Sequence, residues 1–161
     1  MDSGATTQLL IEDESARMRL GSFKALGGTY AVAQMLNDAW REAGKPPMTP
    51  DEFTSDAAKA IASTMTFMCA SAGNHGLSVA AGANIFGAKA RIHLSEEVPE
   101  GFAERLRGIG AEVVRSGPTY ETSLDAANKD AAETDALLRA DGSLPGYTYR
   151  PSLVMEDYTV I

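Results

Sequence analysis

The chain has 161 residues, 44% hydrophobic and 22% charged, a composition of the water-soluble globular class. At this length folding buries roughly 68–70% of the surface an unfolded chain exposes. Its 14 basic and 22 acidic residues leave a net charge of −8, which argues against nucleic-acid and acidic-membrane partners. With Cys69 as the single cysteine there is no intrachain disulfide. No CxxC or HExxH spacing offers a metal site, and no apolar run approaches the ~18 residues of a membrane span. The opening MDSGATTQLL lacks both the basic and the long apolar region of a secretory leader, so the expected compartment is the cytoplasm.

In chain order, residues 8–12 (QLLIE) read as a short strand. Ser22 then stands as an N-cap, and Leu26, Tyr30, Ala33, Leu36 and Trp40 recur at helical spacing until Gly44. Lys24 falls in the first turn of that helix. A proline-rich loop covers 44–55, and a short helix spans 56–62. From residue 64 a strand–helix rhythm sets in. TMTFMCA (64–70) is a strand, NHGLSVAAGANIFG (74–87) a small-residue helix, and AKARIHL (88–94) an alternating strand with Ala88, Ala90, Ile92 and Leu94 on one face. A helix over 99–110, a strand over 111–116, a helix over 120–135 and a strand over 136–140 follow. Strands spaced by helices of this length imply βαβ units, hence an α/β fold with an open, mostly parallel sheet flanked by helices. Residues 150–161 resemble the opening of a further helix, and the chain stops there as if cut. A GxGxxG after the first strand and a GxSxG elbow are both missing, and GANIFGAK (82–89) misplaces the lysine of a phosphate-cradling loop.

Two constellations could carry chemistry. In GSFKALGG (21–28), Lys24 faces the positive end of a helix macrodipole, which disfavours the ammonium form. Burial by Phe23 and Leu26 would act in the same direction and favour a nucleophilic amine. The plain alternative is an exposed lysine in a helix's first turn. In SAGNHG (71–76), unsatisfied N–H groups at a helix start attract carboxylate or phosphate. Gly73 and Gly76 allow close approach, Asn74 offers donor and acceptor, and Ser71 adds a hydroxyl. The alternative there is that Asn74 only caps the helix and His75 packs or faces solvent. His93 shares a strand face with Lys89 and Arg91, expected to be exposed or paired with carboxylates. Cys69 reads as a small core residue. Asp141, at the end of the fourth predicted strand, lies where open α/β sheets place ligand groups and is a further candidate.

DESARMRLGSFKALGG followed some forty residues later by ASAGNHG resembles the fold type II pyridoxal-phosphate-dependent enzymes. That group includes the threonine and serine dehydratases, cysteine synthase and diaminopropionate ammonia-lyase. The loop KPPMTPDEFTSDAAKAIASTMTF and the segment DGSLPGYTYRPSLVMEDY look most like the ammonia-lyase branch. The resemblance implies pyridoxal phosphate as cofactor and a small amino acid as substrate. Lys24 would bind the cofactor and move the α-proton, with Phe23 packed beside the ring and Asn74 on the phenolic oxygen. Ser71, Gly73, Asn74 and His75 would receive the substrate carboxylate, and Asp141 would be a catalytic acidic residue. The implied reaction is β-elimination to a 2-oxo acid and ammonia.

Three departures from the family pattern stand out. Ala72 replaces an acidic residue of the ammonia-lyases, giving a loop more like that of L-threonine and L-serine dehydratases. Arg91 and His93 occupy a strand that relatives usually keep apolar, which reads here as an exposed face. The family's glycine-rich phosphate loop and the partner of the pyridine nitrogen have no counterpart among the 161 residues. The expected organisation is therefore a strand and lysine-bearing helix of a larger cofactor domain (1–45), a small α/β domain (46–150), and a returning helix start (151–161). An uncovered apolar face would make the chain a homo-oligomer or call for a complementing chain. The contrasting reading is an inactive α/β domain used for binding or assembly.

Overall fold

A computed structural model describes residues 10–134 and 136–138. A 3-10 turn at Arg17–Arg19 leads into helix α1 (Ala25–Glu42), and a second at Pro50–Thr54 leads into α2 (Asp56–Ala62). The alternating part follows as β1 (Thr66–Ala70), α3 (Asn74–Phe86), β2 (Lys89–Leu94), α4 (Glu100–Gly108), β3 (Glu112–Arg115), α5 (Tyr120–Thr134) and β4 (Leu137–Leu138). The strands form one parallel sheet in the order β3-β2-β1-β4. Pairing runs from Thr66 with Lys89 to Ala70 with His93 on one side of β1, and β2 continues to β3 from Arg91–Glu112 to Leu94–Arg115.

Strand alternation divides the core in two. Phe67, Cys69, Ala90, Ile92 and Leu94 point to one face and pack with Val32, Leu36, Trp40, Leu77, Val79 and Leu106 from α1, α3 and α4. Each fully buried side chain of this size contributes about 1.5–3 kcal/mol. Met68 and Ala70 point to the other face, where Ala127 and Ala131 of α5 cover them. Cys69 is a buried core residue, as its apolar strand predicts.

The helix over 56–62 has the predicted bounds, with the Ser55 hydroxyl accepting from the Ala58 N–H as its cap. One reading changes, and one pair of alternatives is decided; residues 8 and 9 of the expected first strand lie outside the described residues. Residues 10–12 are not strand, and Leu10 and Ile11 are 83% and 80% exposed. A β-segment needs a partner ladder, and no described strand pairs with these residues. The Arg91/His93 face, expected to be exposed or paired with carboxylates, is the paired case, with Arg91 on Glu112 and Asp130 and His93 on Asp130. His93 is buried because α5 lies over that side of the sheet. Within the described residues, no helix is long and apolar enough to cross a membrane.

Candidate functional site

The lysine-bearing helix and the glycine-containing loop are brought together by one close helix–helix contact. A Cβ on Gly28 of α1 would lie 2.6 Å from Ser78 Oγ and 2.9 Å from the Val79 backbone nitrogen. One on Gly82 of α3 would lie 2.9 Å from Thr29 Cα. Only glycine permits backbones this close. Hydrogen bonds seal the seam. Ser78 Oγ donates to the Ala25 carbonyl at 2.5 Å and accepts from the Thr29 N–H at 3.0 Å, while the Thr29 hydroxyl donates to the Ser78 carbonyl at 3.0 Å. Residues 25 and 29 thus meet 78, and 29 and 32 meet 82, so the two helices run in the same sense. Their N-termini lie at one end, beyond the carboxyl edge of the sheet, where open α/β folds bind ligands.

Lys24 sits at the N-cap of α1, half-buried, and its N–H donates to Ser22 Oγ at 3.1 Å. The helix boundary thus falls two residues past the predicted cap, Ser22. Phe23 remains 45% exposed. The 71–76 loop is organised around Ser71, which is buried. Its N–H donates to the His93 carbonyl at 3.2 Å, and its Oγ accepts from the N–H groups of Gly73 at 3.3 Å and Gly76 at 3.1 Å. A Cβ on Gly76 would come within 3.2 Å of Ser71 Cβ. Gly73 has open space on its outer side. Asn74 opens α3 and is exposed, whereas His75 is buried.

Ser71, Gly73, Asn74 and His75 therefore form one loop on the same edge as Lys24 and Phe23. Asp141 lies outside the described residues. Sequence reading did not single out Thr29, Ser78 and Gly82, although paired runs of small residues on two helices are the signature of a close seam. The shallow depression lined by Asp38, Arg41, Glu42, Gly44, Lys45 and Pro47 is at the opposite end of α1, about 27 Å away along the helix, and plays no part in this site.

The pyridoxal-phosphate dependent enzyme family matches residues 2–156. The chain belongs to that family. It is 28% identical to the diaminopropionate ammonia-lyase of Escherichia coli K12 over 155 residues, covering 96% of this chain and 37% of the relative. Against the probable D-serine dehydratase of Sinorhizobium medicae it is 33% identical over 140 residues, covering 86% of this chain and 32% of that protein. The crystal structure of E. coli diaminopropionate ammonia-lyase in complex with D-serine superposes with a TM-score of 0.80 at 29% identity, covering 91% of this chain and 36% of that one. The chain thus spans about a third of the length of these relatives.

The family's cofactor carries an aldehyde, a phenolic oxygen and a phosphate on an aromatic ring. An amine, an exposed aromatic neighbour and an amide on one edge fit the aldehyde and ring portions. No seat for the phosphate is identified among the described residues.

Proposed function

We propose that this chain carries the lysine and the substrate-facing loop of a pyridoxal-phosphate-dependent lyase. It would remove the α-proton of a small amino acid and expel its β-substituent, as in the ammonia-lyase and dehydratase relatives. The observation that supports the reading is the parallel α1–α3 seam, by which the helix starts that carry Lys24 and follow the 71–76 loop share one end of the fold. The bound cofactor supplies an electron sink for the charge left at Cα. Lys24 binds it through the amine and, once displaced by substrate, takes the α-proton at Nζ. The leaving group departs from Cβ with its bonding electrons, and water converts the enamine product to a 2-oxo acid and ammonia. Asn74 holds the phenolic oxygen through its amide. The N–H groups of the first turn of α3, with the Ser71-ordered loop, orient the substrate carboxylate.

The substrate class is a small amino acid, and the D-serine complex of the E. coli relative supports it. Asp141 remains a proposed acidic participant. The phosphate seat is assigned to polypeptide outside the described residues, whether of this chain, a second copy or a complementing chain. The test is release of 2-oxo acid from 2,3-diaminopropionate, serine and threonine, each in both stereochemical forms. Lys24→Ala should reduce release at least ~10³-fold, since the proton-transfer group is lost. Undiminished release by that variant ends the proposal.

A further inference from the structure

A partly buried polar cluster centred on the buried His93 lies behind the loop. His93 Nε2 is 3.1 Å from Asp130 Oδ2 on α5, and His93 Nδ1 is 2.7 Å from Ser116 Oγ at the end of β3. The Asp130 carboxylate can only accept, so Nε2–H donates to it, and Nδ1 meets the Ser116 hydroxyl. Asp130 also accepts from Arg91 Nη1 at 2.9 and 3.0 Å, and Arg91 Nε donates to Glu112 at 2.8 Å. The imidazole is thereby held at both nitrogens, by the end of the neighbouring strand β3 and by α5 over the sheet face.

Its backbone is what reaches the loop. Ala70–His93 is the last paired position of β1 and β2, so the ladder ends where the His93 carbonyl accepts from the Ser71 N–H. Ser71 in turn bonds Gly73 and Gly76 and packs against the latter, while Ile92 Cγ2 stands 3.4 Å from where a Gly76 Cβ would be. We propose that His93, clamped by Asp130 and Ser116, is a positioning residue for the 71–76 loop, fixing through its own carbonyl the loop that receives the substrate carboxylate. The inference rests on the substrate-facing reading of that loop, but the loop's order can be measured without cofactor or substrate.

The experiment is amide hydrogen exchange by NMR on the full chain. His93→Gln should speed exchange of the Gly73 and Gly76 amides about tenfold relative to the Ala103 and Leu106 amides of α4, the size expected for losing one buried hydrogen bond. Asp130→Asn, which keeps an acceptor for Nε2–H, should stay within about threefold of the parent, whereas Asp130→Ala should match His93→Gln. Should His93→Gln fail to fold, Ser116→Ala removes one bond of the clamp and carries the same comparison. Loop amides that change no more than those of α4, or equal effects of Asp130→Asn and Asp130→Ala, overturn the proposal. Separately, a pyridoxal-phosphate-loaded chain whose visible spectrum ignores every amino acid would refute the substrate reading, while the exchange data still decide the positioning role.

Discussion

Gly28→Ala tests the seam on which the site depends. The new methyl would stand 2.6 Å from Ser78 Oγ, 2.8 Å from Ser78 Cβ and 2.9 Å from the Val79 backbone nitrogen, so rotating Ser78 alone does not relieve the clash. Overpacking of this kind costs about 1–3 kcal/mol. Displacing Ser78 Oγ also forfeits its bonds to the Ala25 carbonyl and the Thr29 N–H, each worth about 0.5–1.5 kcal/mol. Alanine returns about 1 kcal/mol of helix propensity. The net expectation is a loss of about 3 kcal/mol. In urea, with a slope of about 2 kcal/mol/M, the unfolding midpoint falls by about 1.5 M. Gly101→Ala in α4 serves as the control. Nothing lies within 4 Å of that Cβ, so the same substitution should be neutral or mildly stabilising there. A Gly28→Ala midpoint equal to or above the parent's would refute the close-contact argument.

Two further outcomes are expected. Glu100 is bonded by Arg107 first and Arg115 second, which holds its carboxyl below the ordinary 4.5. A lowered folded-state value stabilises above the unfolded value and is lost as pH falls through the folded one, so Glu100→Gln should flatten the acid limb of a stability–pH curve below about 4.5. An unchanged acid limb counts against the pair. Met18 and Arg19 hold left-handed backbone at φ 49° and 58°, just ahead of the lysine. Arg19→Gly should relieve about 1 kcal/mol of strain and raise the melting temperature by about 2–4 °C. A lower melting temperature would show that the Arg19 side chain matters more than its backbone.

The elements after residue 56 were legible because each carries local information. Ser55 caps α2, Asn74 to Phe86 is a run of small and apolar residues ending at Gly87, and Ala90, Ile92 and Leu94 alternate onto the buried face. What local pattern could not supply was partnership. QLLIE has strand composition, but residues 10–12 pair with no strand among the described residues. Whether Arg91 and His93 were exposed or paired stayed open in the sequence because their partners, Glu112, Asp130 and Ser116, lie 21 to 39 residues away and meet them only in the folded sheet with α5 over it. A parallel sheet, however, is covered on both faces, so the fold class itself predicted cover over that side. The site divided in the same manner. Lys24 and the 71–76 loop were visible as residue types at helix starts, whereas their adjacency depends on the contact of Gly28 and Gly82 with the opposite helix, a tertiary fact.

The central claim is that Lys24 occupies a working cofactor edge, and the most direct measurement is chemical. The purified chain is mixed with pyridoxal phosphate, its visible spectrum recorded, borohydride added and the modified peptide mapped among the five lysines. The account predicts selective labelling of Lys24, competed away by small amino acids. Labelling spread evenly over Lys24, Lys45, Lys59, Lys89 and Lys129, or confined to any of the last four, would contradict it.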